Sequence, residues 1–138
     1  METGISLIQI ACAIYIVLGV AHAFLTLFTK AMNPVNPEVL ALNKSNHAFI
    51  TSKTSLWSGG VGFHLSHSLG LFVFGAFYFT LVDESPELIL SSQFFSLALL
   101  LVPLTYLSLS LKYWFILPSI GLGLACVLSI SGLLYITT

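Results

Sequence analysis

The sequence predicts an all-α integral membrane protein, a four-transmembrane-helix bundle with both termini on the non-cytoplasmic side. Three observations carry this expectation. Four apolar runs, at residues 5–28, 56–82, 88–111 and 115–136, take up most of the 138 residues. The composition is 57% hydrophobic and 7% charged, whereas about a quarter of residues are charged in soluble domains. All four lysines fall in two connections: Lys30, Lys44 and Lys53 after the first run, Lys112 after the third. With four crossings, those connections share a face.

Each run meets the roughly 20 apolar residues that a spanning helix needs. None alternates strictly, so helices rather than a closed barrel satisfy the backbone in hydrocarbon. The first run does not read as a cleaved signal, since Glu2 is the only charge before it and it exceeds a signal core in length. Its helix is expected at about 5–31, because Asn33-Pro34 and Asn36-Pro37 cannot continue it. Pro37 and Glu38 then open a short interfacial helix at about 37–44, carrying Val39, Leu40 and Leu42.

Thr51, Ser52, Thr54 and Ser55 are candidate caps for a second span at about 52–82. Ser85 as cap, Pro86 in the first turn and Glu87 at the positive end of the dipole mark a third at about 86–111. Pro103 should kink it. The fourth is expected at about 116–137, with Pro118 tolerated in its first turn. The chain reads as one helical domain.

Positive residues in short loops stay on the cytoplasmic side, so the lysine-bearing connections are expected there. Trp57, Tyr113 and Trp114 lie near those ends, where amphipathic rings prefer the headgroup level. Asp83, Glu84 and Glu87 lie in the opposite connection. The net charge is −1 and no basic patch suits nucleic acid. Cys12 and Cys126 sit inside apolar runs and read as small core residues. The connection after the first run is the expected contact for a soluble partner.

Helices in lipid pack through small residues that let backbones approach. Ser58, Gly62, Ser66 and Gly70 recur every four positions in the second run, and Gly121, Ala125 and Ser129 do so in the fourth. These stripes are the expected closest contacts, within one chain or between copies.

Three histidines, His22, His64 and His67, lie within apolar spans. Ionisable residues there normally face the protein interior or a watery cavity. His64 and His67 are about 60° apart on one helical face, and the small stripe of the same run centres on the opposite side from His64. The stripe and His64 must therefore meet different neighbours. The first run carries a polar line of Tyr15, Gly19, His22, Thr26 and Thr29, and the third one of Ser92, Ser96, Pro103, Tyr106 and Ser110. By helical rise, His22 lies roughly 13 Å deep, His64 roughly 15–18 Å, His67 some 20 Å and Tyr106 about 9 Å from the basic face. His22, His64 and Tyr106 are expected to meet in the cytoplasmic half, with His67 slightly deeper and Tyr15 on the same line as His22.

Such a cluster suits several chemistries. Imidazoles on two helices can hold haem b, with Gly19, Gly60 or Gly62 making room. Three histidines can bind zinc or copper, although no carboxylate lies at that depth. Histidine beside tyrosine can hydrogen-bond a quinone or lipid headgroup, or relay protons. Each histidine can equally bond a neighbouring hydroxyl or carbonyl and hold helices in register. His47, in the connection, reads as solvated. No catalytic signature is present, and without an arginine the chain has no bidentate grip for phosphate or carboxylate.

Residues 57–70 (WSGGVGFHLSHSLG), Tyr113-Trp114-Phe115 followed by Pro118, and His22 with the 26–34 segment behind it resemble a family. It comprises small four-helix bacterial inner-membrane proteins first annotated in Leptospira genomes. The resemblance covers nearly the whole chain and is most specific at Ser66-His67-Ser68-Leu69-Gly70 following Gly62-Phe63. On that match His22 and His67 occupy motif positions, while asparagine is usual at the position of His64. The family implies a membrane location and a four-helix fold and lends no activity.

The expectation is thus an inner-membrane protein whose ligand site comprises His22, His67, His64, Tyr106 and Tyr15, with haem b or a quinone as occupant. The alternative is a non-catalytic accessory or scaffold subunit, packing against a larger membrane protein or its own copies.

Overall fold

The computed structural model describes residues 1–137 and is all-α: α1 (Glu2–Phe28), α2 (Pro37–Ser45), α3 (Leu56–Glu84), α4 (Pro86–Ser91), α5 (Gln93–Tyr113) and α6 (Ile116–Thr137). Four of these, α1, α3, α5 and α6, are long and apolar enough to cross a membrane. This is a small multi-pass membrane protein whose described residues form helices and no strand. The described residues form two compact units. One takes Met1–Leu18 and the residues from Leu71 onward; the other is Gly19–Gly70.

The first unit packs the amino-terminal part of α1, the carboxy-terminal part of α3, and α4 to α6. One core cluster joins Ile8, Cys12, Tyr78, Val82, Ile89, Leu99 and Ile136. A second joins Ala11, Tyr15, Leu71, Leu122 and Ala125, with Tyr106, Leu107 and Trp114 packed against it. Glycine permits the closest approaches. A Cβ on Gly132 would stand 2.6 Å from Ile8 Cγ1 and 2.8 Å from the Gly4 carbonyl oxygen. One on Gly75 would stand 2.8 Å from the Cys12 carbonyl oxygen and 2.9 Å from Ile16 Cγ1. Buried hydroxyls pair with each other: Ser110 with Ser119 at 2.6 Å, and Tyr15 with Ser129 at 3.2 Å. In hydrocarbon such pairing removes the penalty of an unsatisfied polar group.

The stretch expected as one helix at 86–111 is divided at Ser92, whose backbone is extended (φ −103°, ψ 108°). The Ser92 N–H still donates to the Leu88 carbonyl, and the Ser96 hydroxyl donates to the Ile89 carbonyl, a group the interrupted helix would leave open. Three serines at 91, 92 and 96 suit this break, because their hydroxyls compete for backbone groups. Ser85 stands at the cap position of α4, but its side chain makes no capping bond; its carbonyl accepts from the Leu88 N–H. α5 continues through the buried Pro103.

The second unit holds the end of α1, α2 and the start of α3. α1 stops at Phe28, three residues short of the expected end. Here the Thr29 hydroxyl donates to the Leu25 carbonyl at 2.6 Å and accepts from the Ala31 N–H at 3.1 Å, turning the chain. Asn36 caps α2 by accepting from the Glu38 N–H at 2.8 Å. Residues 46–56 fold back on themselves, with the Leu56 N–H donating to the Asn46 carbonyl and His47 bridging Ser55. Of the four candidate caps it is Ser55 that serves α3, accepting from the Ser58 N–H at 3.1 Å. Val35, Phe49 and Ile50 of this connection are almost wholly exposed.

The two small-residue stripes part company. In α6, Ala125 and Ser129 are buried, and Gly121 sits beneath Leu18. In α3, Ser58, Gly62, Ser66 and Gly70 are all exposed, and a Cβ on Gly59, Gly60 or Gly62 would meet nothing within 4 Å. Among the described residues the α3 stripe therefore lies open. Among the small residues of α3, Ser68 is buried and Gly75 lies against the α1 backbone.

Candidate functional site

The three intramembrane histidines converge in the second unit. His22 Nε2 and His64 Nδ1 are 3.1 Å apart in a direct hydrogen bond, and their ring centroids are 5.1 Å apart. His67 sets its ring edge-on to His22 at 5.6 Å and stacks on Phe63 at 6.3 Å, with 16° between the planes. Helical spacing explains the convergence, since His64 and His67 lie one turn apart on the face that α3 turns toward α1. Hydroxyls hold the local backbone: Thr26 donates to the His22 carbonyl and Ser68 to the His64 carbonyl, both at 2.8 Å.

His64 also lines a cavity of about 200 Å³ among α1, α2 and α3. Its apolar walls are Met32, Pro34, Leu56, Trp57 and Val61; Thr26, Asn43 and His64 supply the polar groups, and Gly60 leaves space. No charged side chain lines it. Lys44 of α2 stands 6.0 Å from the Trp57 ring centroid, near the outer limit for a cation–π contact.

No family model, curated protein or solved structure matches the chain. The site must be judged on its own chemistry.

Haem does not fit these residues. Two imidazole nitrogens on opposite faces of a haem would stand about 4 Å apart, from metal–nitrogen bonds of roughly 2 Å each, whereas His22 and His64 bond each other at 3.1 Å. The cavity of about 200 Å³ also falls below the roughly 300–1,000 Å³ of most drug-sized sites. Among the described residues, no group of three or more His, Cys, Asp or Glu side chains is placed to hold a metal ion.

The expected tyrosines lie in the first unit. Tyr15 is fully buried, bonded to Ser129 and edge-on to Phe74 at 5.6 Å; Tyr106 packs in the cluster around Tyr15 and Leu122. His47 is exposed, with its Nδ1 3.1 Å from the Ala48 carbonyl oxygen. Asn43, Met32 and Pro34 escaped sequence reasoning. Their signal was available in the prolines and interfacial helix that bend this connection back over α3.

Proposed function

We propose that this small multi-pass membrane protein binds the head of an amphipathic molecule in the cavity beside His64, with a quinone-type ring as the occupant. One observation carries the reading: His64 lines the cavity while its Nδ1 is taken by His22. The bond to His22 fixes the ring and leaves Nε2 for an occupant. The uncharged lining favours a neutral head over a phosphate or carboxylate, because a buried ion needs a paired charge. The volume suits one substituted six-membered ring. The lysine bias supports a cavity on the cytoplasmic side, and the family resemblance supports the bacterial inner membrane as the location.

Trp57 lines the cavity and reports on it. In a Trp114→Phe background, where Trp57 is the remaining tryptophan, titration with duroquinone is expected to quench fluorescence saturably. Gly60→Leu fills the cavity without a clash at Cβ. It should fold normally and weaken binding at least about ten-fold, or 1.4 kcal/mol. Linear quenching, identical with and without Gly60→Leu, would remove the reading.

A second reading has its own observation, the uncovered α3 stripe of Ser58, Gly62, Ser66 and Gly70. Small residues in lipid accept another helix, so this face suits association with a larger membrane protein or another copy. Gly62→Leu is expected to abolish any native association detected by crosslinking in membranes while leaving the single chain folded. Crosslinked species that survive Gly62→Leu would count against it.

A further inference from the structure

We infer that the His22–His64 pair lets the cavity take both a carbonyl and a hydroxyl form of the same ring, so that quinone and hydroquinone share one site. This rests on the reading of the cavity as a quinone site.

A neutral imidazole offers one N–H and one lone pair, and the tautomer decides which nitrogen carries which. Because His64 Nδ1 and His22 Nε2 bond directly at 3.1 Å, one of the two carries the hydrogen, and this choice sets the opposite edge of each ring. When His22 Nε2–H donates, His64 carries its own hydrogen on Nε2 and presents a donor to the cavity, as a quinone carbonyl requires. When His64 Nδ1–H donates, His64 Nε2 is a lone pair that accepts from a phenolic hydroxyl.

Passing between these states moves the shared hydrogen from His22 Nε2 to His64 Nδ1. The hydrogen on His64 Nε2 leaves to water at the cavity, and one from water arrives at His22 Nδ1. Each ring stays neutral and the pair holds two ring hydrogens throughout. The inter-ring hydrogen bond survives in both states, which a histidine facing a fixed donor or a fixed acceptor cannot achieve. Asn43, another polar group of the lining, carries both donor and acceptor capacity, whereas the Thr26 hydroxyl gives its hydrogen to the His22 carbonyl and offers lone pairs only. His64 and Asn43 thus tolerate either direction of hydrogen bond, while Thr26 serves the hydroxyl form alone.

The test uses the full chain in detergent, with histidine ring nitrogens isotopically labelled, and with duroquinone and durohydroquinone under argon as probes. Both should bind, with dissociation constants within about ten-fold of each other. Nitrogen NMR should show His64 protonated at Nε2 with duroquinone and at Nδ1 with durohydroquinone, and His22 should change with it in the same sense. If both compounds bind and the tautomers are the same, or His64 changes without His22, the inference fails and the quinone site stands. If durohydroquinone is excluded while duroquinone binds, the inference fails as well. If neither binds, the site reading falls, and the inference with it.

Discussion

Gly132→Ala is expected to destabilise the protein by about 3 kcal/mol, at the upper end of overpacking costs. The new methyl would sit 2.6 Å from Ile8 Cγ1, 2.8 Å from the Gly4 carbonyl oxygen and 3.1 Å from the Ile8 nitrogen. Two of those three atoms are backbone, so no rotamer change relieves the contact and α1 must move away from α6. Gly75→Ala meets the Cys12 carbonyl oxygen at 2.8 Å and should behave alike. Gly59→Ala and Gly62→Ala meet nothing within 4 Å; they should be neutral or stabilising by up to about 1 kcal/mol through helix propensity. Equilibrium unfolding in mixed micelles with rising SDS fraction measures all four. Equal stability of Gly132→Ala and Gly62→Ala would contradict the packing described.

Tyr15→Ala is expected to cost about 3–5 kcal/mol, as for other large aromatic truncations in cores. Tyr15 is the largest fully buried side chain and fills the space among Ala11, Leu71, Leu122 and Ala125. Tyr15→Phe keeps that volume and loses only the bond to Ser129, so its cost should be about 0.6 kcal/mol and no higher than about 1.7 kcal/mol, the average and maximum for hydrogen bonds between membrane helices. Ser129 can turn its hydroxyl to a carbonyl one turn earlier, which limits the loss. The same unfolding assay separates the two variants. A Tyr15→Phe protein as unstable as Tyr15→Ala would assign the hydroxyl, rather than the ring, the main role. Tyr15→Phe should leave quenching of Trp57 by duroquinone unchanged, since the hydroxyl is engaged by Ser129.

The spans were legible because length and apolarity suffice to specify them, and α2 because Asn36, Pro37 and Glu38 form a complete start signal. The meeting of His22 with His64 and His67 was legible too, since polar side chains in an apolar span have few places to go. Which glycines pack was not. Gly62 and Gly75 are both small residues in one apolar helix, yet the first faces open space and the second touches the Cys12 backbone. In a soluble helix the polar face would have told them apart; in lipid the outward and inward faces are both apolar, and that contrast vanishes. The break at Ser92 was hidden for a related reason, because serine neither forbids a helix nor interrupts an apolar run.

Val35, Phe49 and Ile50 project from the connection that walls the cavity, with Lys44 and Lys53 nearby in the chain. Left in water, each would forgo roughly 1.5–3 kcal/mol of burial; dipped among acyl chains, they moor the connection to the leaflet. On the proposed reading, a guest of the cavity beside this connection would then be drawn from the lipid layer by lateral diffusion, at the concentration its partitioning sets there. Modest intrinsic affinity would suffice for such a guest.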